Sequence, residues 1–185
     1  MPGNNAPTPA QARALEQLKG LINSSNTGGR TLCCLIGRQG SGKTWLAKQI
    51  TGTSEFGSAR YIAVNRIILD LINEDPLLKE IYEFNSDTLN SDLKRFGSRV
   101  RQAVHDRVAE QFQLDGLTVL DHMELVFALG MDPVTTWYND AVGNKRILMI
   151  LTGRMAGRMC RCGAHTLTRG PWRSTNSGTG GLICH

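Results

Sequence analysis

The chain has 185 residues, 41% hydrophobic and 20% charged, which suits one globular domain with its own core and excludes a disordered or low-complexity chain. No run of about eighteen apolar residues occurs, so no membrane-spanning helix is expected. The net charge of +5 is uneven: five arginines (Arg154, Arg158, Arg161, Arg169, Arg173) and no acids follow Gly153, and removing those five from 21 basic residues leaves 16 against 16 acidic ones in residues 1–152. The core therefore lacks the overall positive field of a bulk nucleic-acid binder.

Residues 9–23 read as a helix, with Thr8 as N-cap, Pro9 at the first helical position and Leu15, Leu18 and Ile22 on one face. Residues 31–36 form a short apolar run bounded by glycines, a buried strand. Helix is expected from Lys43 to Ile50 and a turn from Thr51 to Ala59. A second strand follows at Tyr61 to Val64, then helical stretches at 66–72 and 76–84. From Leu89 to Phe112 the apolar positions Leu89, Leu93, Phe96, Val100, Val104, Val108 and Phe112 recur every three or four residues, as in one long amphipathic helix. Leu117 to Leu120 is a third strand, ending at Asp121. Asp132 and Pro133 read as N-cap and first position of a helix to about Val142, stopped by Gly143. Ile147 to Leu151 is a fourth strand, ending at Thr152. Strands alternating with helices indicate an α/β fold: a P-loop NTPase three-layer sandwich with a mostly parallel sheet of four to five strands.

Residues 153–185 differ. They are rich in Arg, Gly, Ser and Thr without helical period, and read as a poorly packed or flexible tail in which Gly181 to Cys184 adds one short strand. The division is thus a P-loop ATPase domain at 1–152 and a tail at 153–185. Cys160, Cys162, His165, Cys184 and His185 offer ligands for zinc, although the C-x-C spacing is tighter than common structural pairs. Cys33 and Cys34 lie in an apolar run and read as buried free thiols. Met1–Pro9 has no signal-peptide pattern, and with an odd count of cysteines, five in all, this argues for a reducing, cytoplasmic setting.

The chemistry concentrates in Gly37-Arg38-Gln39-Gly40-Ser41-Gly42-Lys43-Thr44, which matches G-x-x-x-x-G-K-[ST] in full, with an apolar strand before it and a helix after it. The glycines let successive backbone N–H groups point at phosphate oxygens, and the helix N-terminus adds its positive dipole end. Lys43 sets an ammonium against the β- and γ-phosphates, and Thr44 supplies a hydroxyl to Mg2+. Asp121, at the end of an apolar strand, is the second magnesium-side residue. Many ATPases carry a glutamate directly after that aspartate; here the position is His122, and the next carboxylate is Glu124. Glu124 is the candidate to orient the attacking water, with His122 as the other base. Thr152 ends a strand expected between the loop strand and the Asp121 strand, where it can sense the γ-phosphate. Arg154 and Arg158 follow it. Asn144-Lys145-Arg146-Ile147 lacks the aspartate of a guanine reader, so ATP is the nucleotide expected. Slow or partner-dependent hydrolysis follows from the unorthodox base position.

The loop, the segment Tyr61-Ile62-Ala63-Val64-Asn65 and the run Val119-Leu120-Asp121-His122-Met123-Glu124-Leu125-Val126-Phe127 together resemble the BrxF family of small P-loop proteins from type 3 BREX phage-defence systems. The resemblance covers roughly residues 12–152 and implies a compact ATPase-like domain, related to the AAA+ and STAND groups, acting with other defence proteins against phage DNA. Contact with DNA through those partners and assembly into a homo-oligomer stay open. Two other readings remain: a small-molecule or nucleoside kinase, with the Arg-rich tail as its lid, and a nucleotide-stabilised interaction module whose long helix docks a partner.

Overall fold

The computed structural model describes residues 7–24, 31–76, 79, 90–112, 116–141, 145–156, 159–162, 165–167, 173–177 and 180–184, with side chains described outside 21–24, 90–96 and the stretch beyond 153. In chain order the elements are α1 (Pro9–Ser24), β1 (Thr31–Gly37), α2 (Lys43–Gly52), β2 (Ala59–Ala63), α3 (Val64–Glu74), α4 (Asn90–Ala109), β3 (Leu117–Asp121), α5 (Glu124–Ala128), α6 (Pro133–Tyr138) and β4 (Arg146–Thr152). The tail adds β5 (Arg154–Ala156), β6 (Met159–Cys162), β7 (His165–Leu167), β8 (Arg173–Ser177) and β9 (Gly180–Cys184).

The main sheet runs β2-β3-β4-β1-β9-β8. Its first four strands are all parallel, with β4 between β3 and β1, the place expected for the strand ending at Thr152. β1 is buried at every position because it is covered from both sides. Leu32, Cys34 and Ile36 join Ile147, Met149 and Leu151 in a core under α3, α4, α5 and α6. Cys33 and Leu35 join Leu148 and Ile150 in a second core under α1 and α2. Helices thus flank both faces of the parallel sheet. No helix among the described residues is long and apolar enough to cross a membrane.

Several boundaries differ from the sequence expectation for physical reasons. β2 ends at Ala63 rather than Val64, since Ala63 is the partner of Asp121, the last residue of β3. Val64 instead starts α3, fully buried. α2 runs on to Gly52, and the expected turn holds a single 3-10 turn at Ser54–Phe56 that buries Phe56. α4 ends at Ala109; two tighter bonds, Gln111 N–H to Val108 O (3.0 Å) and Phe112 N–H to Ala109 O (3.1 Å), still swing Phe112 into the core. α6 stops at Tyr138, although Asp132 caps it as expected, its side chain accepting from Val134 N–H at 2.9 Å. Leu89, Gly143 and most of 76–84 lie outside the described residues.

Among its described residues the tail carries five short strands where one was expected. β9, at the place expected for one strand, pairs antiparallel with β1, and β8 pairs with β9. β1 needs such a neighbour, because its other side would present unpaired N–H and C=O groups. β5, β6 and β7 form a separate antiparallel sheet. Cys33 is disulfide-bonded, whereas Cys34 is buried and outside any disulfide; the expectation of two thiols without a disulfide is corrected at Cys33. The zinc ligand set in the tail falls outside the described side chains.

One ion-pair cluster ties α4 to the segment after α6. His105 Nδ1 lies 2.9 Å from Asp106 and Nε2 lies 3.0 Å from Asp140. Burial pulls the His105 imidazole down, but its hydrogen bonds to the acceptors Asp106 and Asp140 outweigh it, leaving its pKa above the ordinary value. A histidine whose folded pKa exceeds its unfolded one stabilises fully below about pH 6.5 and loses that contribution as pH rises through the folded value. His105→Gln is therefore expected to cost stability at about pH 6 and less at about pH 9, by no more than ~1 kcal/mol after solvent screening. Urea denaturation of both proteins at the two pH values checks this.

Candidate functional site

The eight-residue loop leaves β1 and enters α2 through a tight reversal. Gly40 and Gly42 have φ of 75° and 81°, a region that side chains disfavour. A Cβ on Gly37 would lie 2.9 Å from Ser41 Oγ, and one on Gly42 would collide with Gln11 Nε2. The loop closes with Ser41 N–H donating to Arg38 O at 3.2 Å, and α2 begins with Leu46 N–H on Gly42 O at 3.0 Å. Arg38, Gln39, Gly40 and Ser41 are exposed, while Lys43 and Thr44 are half-buried. Lys43 folds back over the loop, its ammonium donating to Gly37 O at 2.9 Å and Arg38 O at 2.7 Å.

Across from the loop, Asp121 is only 4% exposed. Its two oxygens accept from His122 N–H (2.8 Å) and from the Tyr61 hydroxyl (3.1 Å). Burial, then the charge of Asp121, push the Tyr61 phenol well above its ordinary range, so it stays a donor. His122 follows at φ 57°, the one non-glycine residue with positive φ among the described residues. This costs of order 1 kcal/mol or more and marks a constrained turn. The turn is locked by Asn65 N–H donating to His122 O at 3.0 Å. It sends the His122 ring outward, 47% exposed, and starts α5 at Glu124. Asn65 then grips that start twice, its Nδ2 donating to Glu124 Oε2 and its Oδ1 accepting from Leu125 N–H, both at 3.0 Å.

Lys43, Asp121 and Glu124 share one field. Burial lowers the Lys43 pKa, and the negative charges of Asp121 and Glu124 act against that. Thr152 is exposed at the end of β4, where it is the Cα partner of Gly37, and Gly153 N–H donates to Gly37 O at 3.1 Å. The structure thus brings Lys43, Asp121, Glu124 and Thr152 to the same end of the parallel sheet. The side chains of Arg154 and Arg158 lie outside the described residues.

Three contributors escaped the sequence reading. Tyr61 and Asn65 were seen only as part of a strand segment, although a polar residue closing an apolar strand was the available signal for Asn65. The third is α1. Thr8 and Gln11 form a reciprocal capping box, Thr8 N–H donating to Gln11 Oε1 (2.8 Å) and Gln11 N–H to Thr8 Oγ1 (3.3 Å). This pins the Gln11 amide beside Gly42. Between them lies a cavity of about 280 Å³, lined by Thr8, Gln11, Ala14, Leu35 and Leu46 together with the loop. The T-x-x-Q spacing was legible; its place beside the loop was not.

Comparison with known proteins leaves the site to be read from its own geometry: no family model, no curated protein and no solved structure matches the chain.

Proposed function

We propose that the chain is a P-loop ATPase subunit that binds Mg-ATP and acts within an anti-phage defence complex. The observation that carries the reading is that Lys43 lies in the field of Asp121 and Glu124 at the end of strands ordered β3-β4-β1, beside a glycine loop in which Gly40 and Gly42 take positive φ. The residues fit the ligand. Loop N–H groups and the first turn of α2 suit phosphate oxygens. Lys43, already held by two carbonyls, has a third N–H to offer. Thr44 and Asp121 are the residues to hold magnesium, which supplies neutralisation of phosphate charge. The cavity between α1 and the loop, apolar at Ala14, Leu35 and Leu46 and polar at Gln11, suits a nucleobase. Glu124 orients the attacking water and takes its proton, while Thr152 reads the terminal phosphate.

The defence role rests on the resemblance to the BrxF family in the two runs that carry Tyr61, Asn65, Asp121 and Glu124. Glu124 is tied to Asn65 rather than free, which supports slow turnover until a partner loosens that bond. Calorimetry and single-turnover hydrolysis of the isolated chain test the proposal. Saturable, magnesium-dependent heat with ATP and little turnover is the expected result. The absence of heat from a folded sample overturns it, and phosphoryl transfer to a nucleoside without any protein partner replaces it with a kinase.

A further inference from the structure

Cys33 is disulfide-bonded in the middle of β1, 1% exposed, on the face of the sheet covered by α1 and α2. Its neighbour Cys34 is not disulfide-bonded and lies on the opposite face. On the antiparallel strand β9, the residue whose Cα stands opposite Cys33 is Cys184. Directly opposed residues of an antiparallel pair have Cα atoms about 4.5 or 5.5 Å apart, inside the roughly 4.4–6.8 Å that a disulfide spans. Opposed positions also share one face of the sheet. Cys160 and Cys162 belong instead to β6 in the separate sheet, opposite Leu167 and His165. We infer that Cys33 and Cys184 are a reversible thiol-oxidation site, a covalent latch that fixes β9 along β1 when oxidised and releases it when reduced.

The position gives the latch reach. The same strand pair that begins at Cys33 and Cys184 ends at Gly37 and Gly180, so the latch secures the strand flanking the first residue of the loop. β8 and β9 also lie against α1, whose first turn lines the cavity. At 1% exposure, under α1 and α2, Cys33 is reached only through local opening of the structure around it. In a compartment kept reducing, such a disulfide is transient rather than permanent. Closure is thiol–disulfide exchange with a low-molecular-weight disulfide. One protein thiolate attacks it, forming a mixed disulfide and expelling one small thiol; the second protein thiolate then displaces the other. One protein disulfide forms and one small-molecule disulfide breaks. Two electrons and two protons pass from the protein thiols to the small-molecule disulfide, which leaves as two thiols.

This inference does not depend on nucleotide binding, and its test reads only thiols and amides. The full chain is equilibrated in oxidised or reduced glutathione, alkylated, digested and mapped, and amide exchange is followed in both states. The expected result is a peptide joining Cys33 to Cys184 in the oxidised sample, with β8 and β9 amides exchanging at least about tenfold faster after reduction while β3 and β4 are unchanged. Cys184→Ser should exchange like the reduced chain, and Cys34→Ser should keep the link. Reduced wild type gives the same reading without any substitution. A link from Cys33 to Cys160 or Cys162, alkylation of Cys33 across the whole glutathione series, or equal β9 exchange in both states overturns the inference.

Discussion

Lys43→Ala is expected to lower Mg-ATP affinity by at least about 100-fold while the protein stays folded. Hydrogen bonds to charged groups contribute about 1.5–3 kcal/mol each, and an ammonium among phosphates makes more than one. The cost to the fold is small by comparison. Lys43 is half-buried and its two acceptors, Gly37 O and Arg38 O, belong to the loop itself; Gly37 O keeps the Gly153 N–H as a second donor at 3.1 Å. The alanine also removes a desolvated cation whose pKa burial holds down. Stability by urea denaturation should therefore change by about 1 kcal/mol or less. The two measurements separate the readings of the loop: loss of affinity without loss of fold marks a ligand-binding cation, whereas unfolding with unchanged affinity in the folded fraction marks a structural one.

The parallel sheet was legible because it depends on local signals that the sequence carries openly. Residues 31–36 and 147–151 are apolar runs too short for helices, one leading into the glycine loop and the other ending at Thr152. The order of β3, β4 and β1 was expected from the additional-strand P-loop topology that the loop suggested, and the strands do stand in that order. What was hidden depended on contacts between distant segments. The edge of β1 takes β9 from the far end of the chain, and nothing in Gly181 to Cys184 announces which strand it will join. The partner of Cys33 was hidden for the same reason. α5 was missed because its five residues are too short to show a period. The glycine loop and Asp121 stand out in the sequence because residue type and spacing alone mark them as candidates. Asn65 and Tyr61 were not, since hydrogen bonds across 59 and 60 residues of chain leave no spacing to read. These bonds also join the two runs on which the family resemblance rests, end to end. Tyr61 meets Asp121 and Asn65 meets Glu124, so the two segments work as one structural unit.

Glu124→Gln should separate binding from hydrolysis more cleanly than any other substitution at the site. Glutamine keeps a side-chain oxygen able to accept from Asn65 Nδ2, and Leu125 N–H keeps its bond to Asn65 Oδ1; the start of α5 therefore stays in place. The amide cannot accept a proton from water, so single-turnover hydrolysis, measured with whatever activator the protein requires, should fall by about 10²–10⁴-fold. Mg-ATP affinity should change by less than about tenfold, since one negative charge leaves the field around Lys43 without any phosphate contact being lost. Asn65→Ala supplies the complementary result. It removes both bonds at the start of α5, frees the Glu124 carboxylate from its donor and leaves Leu125 N–H without that acceptor. Stability should drop by about 1–3 kcal/mol, and the basal rate of the isolated chain should rise if the bond to Asn65 restrains Glu124. An unchanged rate in Glu124→Gln would assign the proton to another group, with His122, 3.9 Å from Asp121 Oδ2, next in line. A basal rate in Asn65→Ala no higher than wild type, in protein that remains folded, would mean that the bond positions Glu124 for the reaction rather than holding it back.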